Sequence, residues 1–170
     1  TALLGLIALV GYVLVYTPLK RITSLATVVG AVPGAIPPMM GWTAAGGGLD
    51  AGAWALFAIL FLWQLPHFLS IAWLYRKDYA RAGYAMLPVV TGGSGATGRQ
   101  IVVQGLLTLL VSLAALPLGL AGPLYFAVAL VAGIGMAGGL VVSLGIDPAA
   151  IWHPEGLMRF ERLLDFRAYP

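Results

Sequence analysis

The residues that could do chemistry crowd into one stretch of this 170-residue chain. It opens with Trp63-Gln64-Leu65-Pro66-His67-Phe68 and runs on to Arg76-Lys77-Asp78-Tyr79-Ala80-Arg81. The second part sets three cations and one carboxylate within six residues. Cations neutralise phosphate oxygens, and a neighbouring carboxylate can hold Mg²⁺, which bridges protein carboxylates and phosphates. The pattern suits a phosphate-bearing ligand. An ordinary basic loop, with Asp78 as a local counter-ion, has the same composition, and the residues by themselves leave both open.

Gln64 and His67 carry a second signal, because they interrupt an apolar run. Amide and imidazole groups are costly in lipid and usually face a bundle interior or a cavity. Their spacing places them on one face of a helix, one turn apart. If that helix continues, Asp78 returns to the same face about 16 Å further along. One stripe would then carry an imidazole at depth and a carboxylate at the rim. Hydrogen bonding between helices accounts for Gln64 and His67 equally well. Pro66 allows a bend and frees a carbonyl in either case.

The elements that must position these residues are membrane helices. Hydrophobic residues make up 61% of the chain and charged ones 9%, with a mean hydropathy of +0.96. Soluble domains carry roughly a quarter charged residues, so the solvent for most of this surface is lipid. Five apolar stretches are expected as spans, at about 2–16, 28–45, 53–75, 101–120 and 124–144. Backbone groups in lipid need internal partners, which favours helices, and no alternating barrel pattern occurs. The fold class is therefore all-α, a polytopic transmembrane helix bundle. Residues 1–145 form the membrane domain and 146–170 a polar tail, with Leu157, Phe160 and Leu164 at helical spacing. The chain begins at Thr1 inside an apolar run, as expected of a piece of a longer protein.

Charge placement orients the bundle. Lys20 and Arg21 follow the first span, and Arg76, Lys77, Arg81 and Arg99 lie between the third and fourth. Arg159, Arg162 and Arg167 follow the fifth. The intervening connections hold no basic residue. Positive loops stay cytoplasmic, so these segments face the cytoplasm. With no Cys, thiolate metal sites are excluded. The second stretch, Gly30-Ala31-Val32-Pro33-Gly34-Ala35-Ile36-Pro37-Pro38, combines a GxxxG spacing for close helix contact with three prolines. The prolines predict a kinked or partly unwound segment lining an interior.

Four segments together resemble the heme O synthases (protoheme IX farnesyltransferases) of the UbiA-type superfamily of intramembrane prenyltransferases. They are Tyr16-Thr17-Pro18-Leu19-Lys20-Arg21, Val29-Gly30-Ala31-Val32-Pro33-Gly34-Ala35-Ile36-Pro37-Pro38, Trp63-Gln64-Leu65-Pro66-His67-Phe68, and the run from Asp78-Tyr79-Ala80-Arg81 to Met86-Leu87-Pro88-Val89. The resemblance covers about residues 1–145 and implies a bundle of about nine spans around a central cavity. It implies transfer of a farnesyl group from farnesyl diphosphate to a vinyl group of heme B, giving a hydroxyethylfarnesyl side chain. It implies Asp78 as a Mg²⁺ ligand through diphosphate and, with Lys77, a catalytic residue. Lys20, Arg21, Arg76 and Arg81 would bind diphosphate, and His67, Gln64 and Trp63 would lie in the heme region. Trp63, Phe68 and Trp73 could wall a dry cavity. Further expectations are a multi-pass protein of the bacterial inner membrane, heme A synthase as a partner, and no nucleic acid. The family's first, Asn/Asp-rich Mg²⁺ motif is not found here, nor are its first three or so spans and its last. The chain by itself is thus expected to be inactive. A related prenyltransferase with a quinone or chlorin acceptor, and a non-catalytic heme or transport module, are the alternatives.

Overall fold

The computed structural model describes residues 1–92 and 94–145, and no strand occurs among them. The first span runs as α1 (Ala2–Val10), a π-helical segment (Gly11–Tyr16) and α2 (Thr17–Leu19). It is followed by α3 (Ala26–Ala44), α4 (Ala51–Leu74), the short α5 (Arg76–Arg81) and α6 (Leu87–Thr91), then α7 (Ser94–Ala114) and α8 (Pro123–Ser143). Long helices pack chiefly on their chain neighbours: the first span on α3, α3 on α4, α4 on α7, and α7 on α8. The helices Ala2–Leu19, Ala51–Leu74 and Gly95–Ala114 are long and apolar enough to cross a membrane, and Pro123–Met136 is a shorter apolar helix. Outward apolar residues such as Leu14, at 67% exposure, and Leu124, at 79%, give the bundle a surface suited to lipid.

The fourth span differs from expectation, and its end has a local reason. The fourth span was expected at 101–120, but its helix is Ser94–Ala114. Pro117 disfavours helical backbone just before it, and Gly119 turns the chain at φ +69°. Arg99 accordingly lies inside a helix rather than in the preceding loop. The tail expected at 146–170, with Arg159, Arg162 and Arg167, lies outside the described residues.

The expected unwinding of the proline-rich segment does not occur. α3 is a continuous helix of 19 residues through Pro33, Pro37 and Pro38. Those prolines leave the carbonyls of Val29, Pro33 and Gly34 without their usual donors. Such interruptions persist where neighbouring helices supply polar groups, and α3 is flanked by the first span and α4. In the first span Pro18 has an analogous effect. The backbone widens to π geometry just before it, and the Thr17 hydroxyl donates to the Tyr12 carbonyl at 3.0 Å.

A small core locks the loop helices against the spans. Leu69 of α4, Leu87 of α6 and Ile101 of α7 pack together. The Trp73 indole donates to the Leu144 carbonyl at 3.1 Å, tying α4 to the end of α8. α6 closes at Gly92, whose φ of +62° only glycine adopts freely.

Candidate active site

A cavity of about 240 Å³ lies between the first span, α3 and α4, with the 76–86 loop at its mouth. Its walls are built by spacing. Tyr12 and Tyr16 are one turn apart in the π segment, with ring centroids 5.0 Å apart. Gly30 and Gly34 of α3, and Gln64, Phe68 and Ile71 of α4, repeat at helical intervals along the same cavity. Tyr79 and Met86 contribute from the loop.

The two glycines make this geometry possible. A Cβ on Gly30 would lie 2.5 Å from the Tyr16 ring, closer than any atom tolerates. A Cβ on Gly34 would collide with Gln64 Oε1. The GxxxG spacing thus admits side chains from two neighbours rather than another helix backbone. Gln64, only 5% exposed, donates to the Ala31 carbonyl of α3 at 2.8 Å. Its amide pins α4 to the proline-rich helix at the cavity wall.

His67 and Gln64 part company. His67 is exposed, stacked on Trp63 at 4.9 Å and 13° between planes. A separation of three residues in a helix leaves the two side chains about 60° apart. That angle suffices to put one inside the α3–α4 seam and the other, with Trp63, on the outer flank. The continuous stripe from His67 to Asp78 also fails. α4 ends at Leu74, Tyr75 leaves helical geometry at φ −99° and ψ 22°, and Asp78 sits on the separate α5.

The cations gather at the loop end of the bundle without all meeting. Lys20 and Arg21 lie over the Tyr84 ring, at 5.2 and 6.0 Å from its centroid. The Ala85 N–H donates to the Lys20 carbonyl at 3.4 Å, holding the loop against the first span. Tyr84 in turn contacts Tyr79, the residue after Asp78, at 5.9 Å. Asp78 pairs with Arg81 at 3.4 Å, both exposed. Lys77 is exposed. Arg76 folds back over Trp73, 4.4 Å from the ring centroid, and donates to that residue's carbonyl at 2.8 Å. The mouth therefore offers Lys20, Arg21, Arg81 and Lys77 with their charges in or near water, where phosphate oxygens could meet them.

Among the described residues no three His, Asp or Glu side chains come together. Among the described residues Asp78 is the carboxylate on the loop at this mouth. That fits Mg²⁺, which takes one or two carboxylates and completes its shell with waters and substrate phosphates.

A model of the UbiA prenyltransferase family matches residues 1–152. The chain belongs to that family. It is 53% identical to a protoheme IX farnesyltransferase of Solibacter usitatus over 77% of this chain and 45% of that protein. It is 52% identical to one of Anaeromyxobacter sp. over 85% of this chain and 49% of that protein. A mitochondrial protoheme IX farnesyltransferase of Homo sapiens is 51% identical over 69% of this chain and 26% of its own length. The chain spans about half the length of the first two. No solved structure matches. The all-helical bundle of apolar helices agrees with a multi-pass membrane protein of this family.

Four aromatic residues of this region, Tyr12, Tyr16, Tyr79 and Tyr84, are not singled out as site residues by the sequence. A signal was present in the first span: two tyrosines four residues apart in an otherwise apolar helix, on one face. It reads equally as an interfacial belt, and only the packing of Tyr16 against Gly30, with Tyr12 on the same cavity, separates the two.

Proposed function

We propose that the protein to which this chain contributes transfers a farnesyl group from farnesyl diphosphate to a vinyl group of heme B, forming heme O. The observation that carries this is the pairing of an apolar, tyrosine-walled cavity with a mouth of Lys20, Arg21, Asp78 and Arg81. The names of the relatives supply the acceptor and the prenyl donor. The basic residues would receive the diphosphate while the prenyl chain enters between α3 and α4. Charge develops on the leaving diphosphate as its bond to the allylic carbon breaks, and Lys and Arg placed there favour departure. Asp78 would hold Mg²⁺, which when bound neutralises phosphate charge as a Lewis acid. Tyr12, Tyr16 and Phe68 would exclude water from the electron-deficient prenyl fragment, and their ring faces attract its positive charge. Gln64 would fix the inner wall against which the chain rests. Trp63 and His67, on the open flank of α4, are assigned to the heme.

The basic loops are placed on the cytoplasmic side of a bacterial inner membrane, where farnesyl diphosphate is available in water. Heme A synthase is the proposed recipient of the product; recovery of the two proteins together from detergent extracts would support that link, and separate elution would oppose it. Because the chain spans half of its relatives, the reaction belongs to the whole protein, and the 170 residues alone are expected to make no heme O. The test is heme O formation from heme B and farnesyl diphosphate by the whole protein in membranes, read by mass spectrometry. Asp78→Ala should abolish the product. A near-normal yield would remove Asp78 from the site, and prenylation of a quinone instead of heme B would replace the acceptor.

A further inference from the structure

Lys20 and Arg21 are neighbours in sequence, and neighbours in a helix point about 100° apart. Here α2 stops at Leu19, and both residues turn out of it toward a single ring, that of Tyr84. Lys20 Nζ lies 5.2 Å from its centroid and Arg21 Cζ 6.0 Å, within the reach at which a ring face attracts a cation. The ring is fixed by its own chain. Gly83 turns the backbone at φ +70°, and the Tyr84 N–H donates to the Tyr79 carbonyl at 3.0 Å. The next N–H, of Ala85, donates to the Lys20 carbonyl. The Tyr84 ring also contacts that of Tyr79, at 5.9 Å between centroids, and Tyr79 lines the cavity. Tyr84 thus ties the two cations to the cavity wall.

A carboxylate in the place of Tyr84 would also hold the cations, but it would cancel the charge that a phosphate needs. A ring attracts through its quadrupole and stays neutral. Among the described residues neither Lys20 nor Arg21 pairs with a carboxylate, and Asp78 is taken by Arg81. Two like charges brought together repel, and each contact with the ring offsets part of that repulsion. The outcome is a pair of uncancelled cations, suited to an anion with charge on two adjoining phosphoryl groups. We propose that Tyr84 is a positioning residue, whose ring gathers Lys20 and Arg21 at the cavity mouth for the diphosphate of the prenyl donor. The identity of that ligand rests on the proposed function. Because Tyr84 acts through the two cations, its loss weakens diphosphate binding in the ground state and the transition state alike, and so changes affinity more than the rate at saturation.

The test is the affinity of the whole protein in membranes for radiolabelled farnesyl diphosphate, with heme O formation followed separately. Tyr84→Leu should raise the dissociation constant roughly ten-fold, the worth of two such contacts together. Tyr84→Phe, which keeps the ring, should stay within about two-fold of the parent. Phenylalanines carrying one, two and three ring fluorines at position 84 keep the shape of the ring while draining its negative face, so the dissociation constant should rise step by step. A packing role would not respond to that series. In a Lys20→Met, Arg21→Met background the steps should vanish. A flat series, or steps that persist without the two cations, overturns the proposal, and heme O formed by the same parent protein then leaves the proposed function standing without it. Steps in a protein that binds farnesyl diphosphate but makes no heme O keep Tyr84 in its role and remove the proposed function. A parent protein that binds no farnesyl diphosphate overturns both.

Discussion

α4 carries two polar side chains three residues apart, Gln64 and His67, and the bundle treats them oppositely. Gln64 is buried, bonded to the Ala31 carbonyl and lodged against Gly34. His67 is exposed and touches only aromatic rings of its own helix among its described ring contacts, Trp63 and Phe68. Both are expensive in lipid, so type alone marks both as functional. What separates them is the neighbour. A glycine on α3 opens a slot for one of them, and among the described residues no such glycine is found against the other. Gln64 is consequently a positioning residue of the seam, whereas His67 is free to meet a ligand on the outer flank.

The largest effect expected on this contrast comes from Gly34→Ala. Its methyl would occupy the place of Gln64 Oε1, so the amide must move and the α3–α4 seam must open. Overpacking of this kind costs about 1–3 kcal/mol, read as a lower midpoint of thermal unfolding in detergent. Gln64→Leu comes next. It removes one interhelical hydrogen bond while the Ala31 carbonyl keeps its helical donor, a loss of about 1 kcal/mol. Because Leu leaves space beside Gly34, the double variant should be less destabilised than the sum of the two. Simple additivity would mean that Gly34 and Gln64 do not share the slot.

His67→Ala sharpens the other side. An exposed residue held only by ring stacking contributes within about 0.5 kcal/mol to stability. Its loss should leave the melting midpoint in place and impair use of heme more than binding of prenyl diphosphate. A drop in midpoint as large as that of Gln64→Leu would mean that His67 is part of the packing instead.

Much of this architecture is legible in the sequence because lipid imposes severe rules. Apolar length gives the helices, and residues such as Gln64 and Asp78 stand out against an apolar background. The face of α4 is less legible. An offset of about 60° between Gln64 and His67 lies within what spacing calls one face, and only the packing of α3 resolves it. The proline-rich segment misleads for a related reason. Pro33, Pro37 and Pro38 are unfavourable in an isolated helix, but α3, packed on both sides, stays helical through them instead of unwinding. The break at Tyr75, which takes Asp78 off the stripe, has no strong local signal: no Gly or Pro stands between Ser70 and Ala82. Tyr16 becomes a site residue only through Gly30, from another helix, and Tyr12 lines the same cavity beside it.

The last effect concerns the start of α4. Asp50 is its N-cap and accepts from the Gly52 and Ala53 N–H groups at 3.0 and 3.2 Å. The Ala53 N–H foremost, with help from Gly52, holds the Asp50 carboxyl below its ordinary value. A carboxyl whose folded pKa is lowered stabilises the fold above the unfolded pKa, and that stability is lost as pH falls through the lower folded value. Asp50→Ala should therefore lower the unfolding midpoint slightly at neutral pH, with the gap to the parent chain closing in acid. Asp50→Asn keeps a capping oxygen without the charge, so it should retain most of the stability and lose the pH dependence. If Asn behaves as Ala at neutral pH, the cap acts through charge at the helix N-terminus and not through the hydrogen bonds.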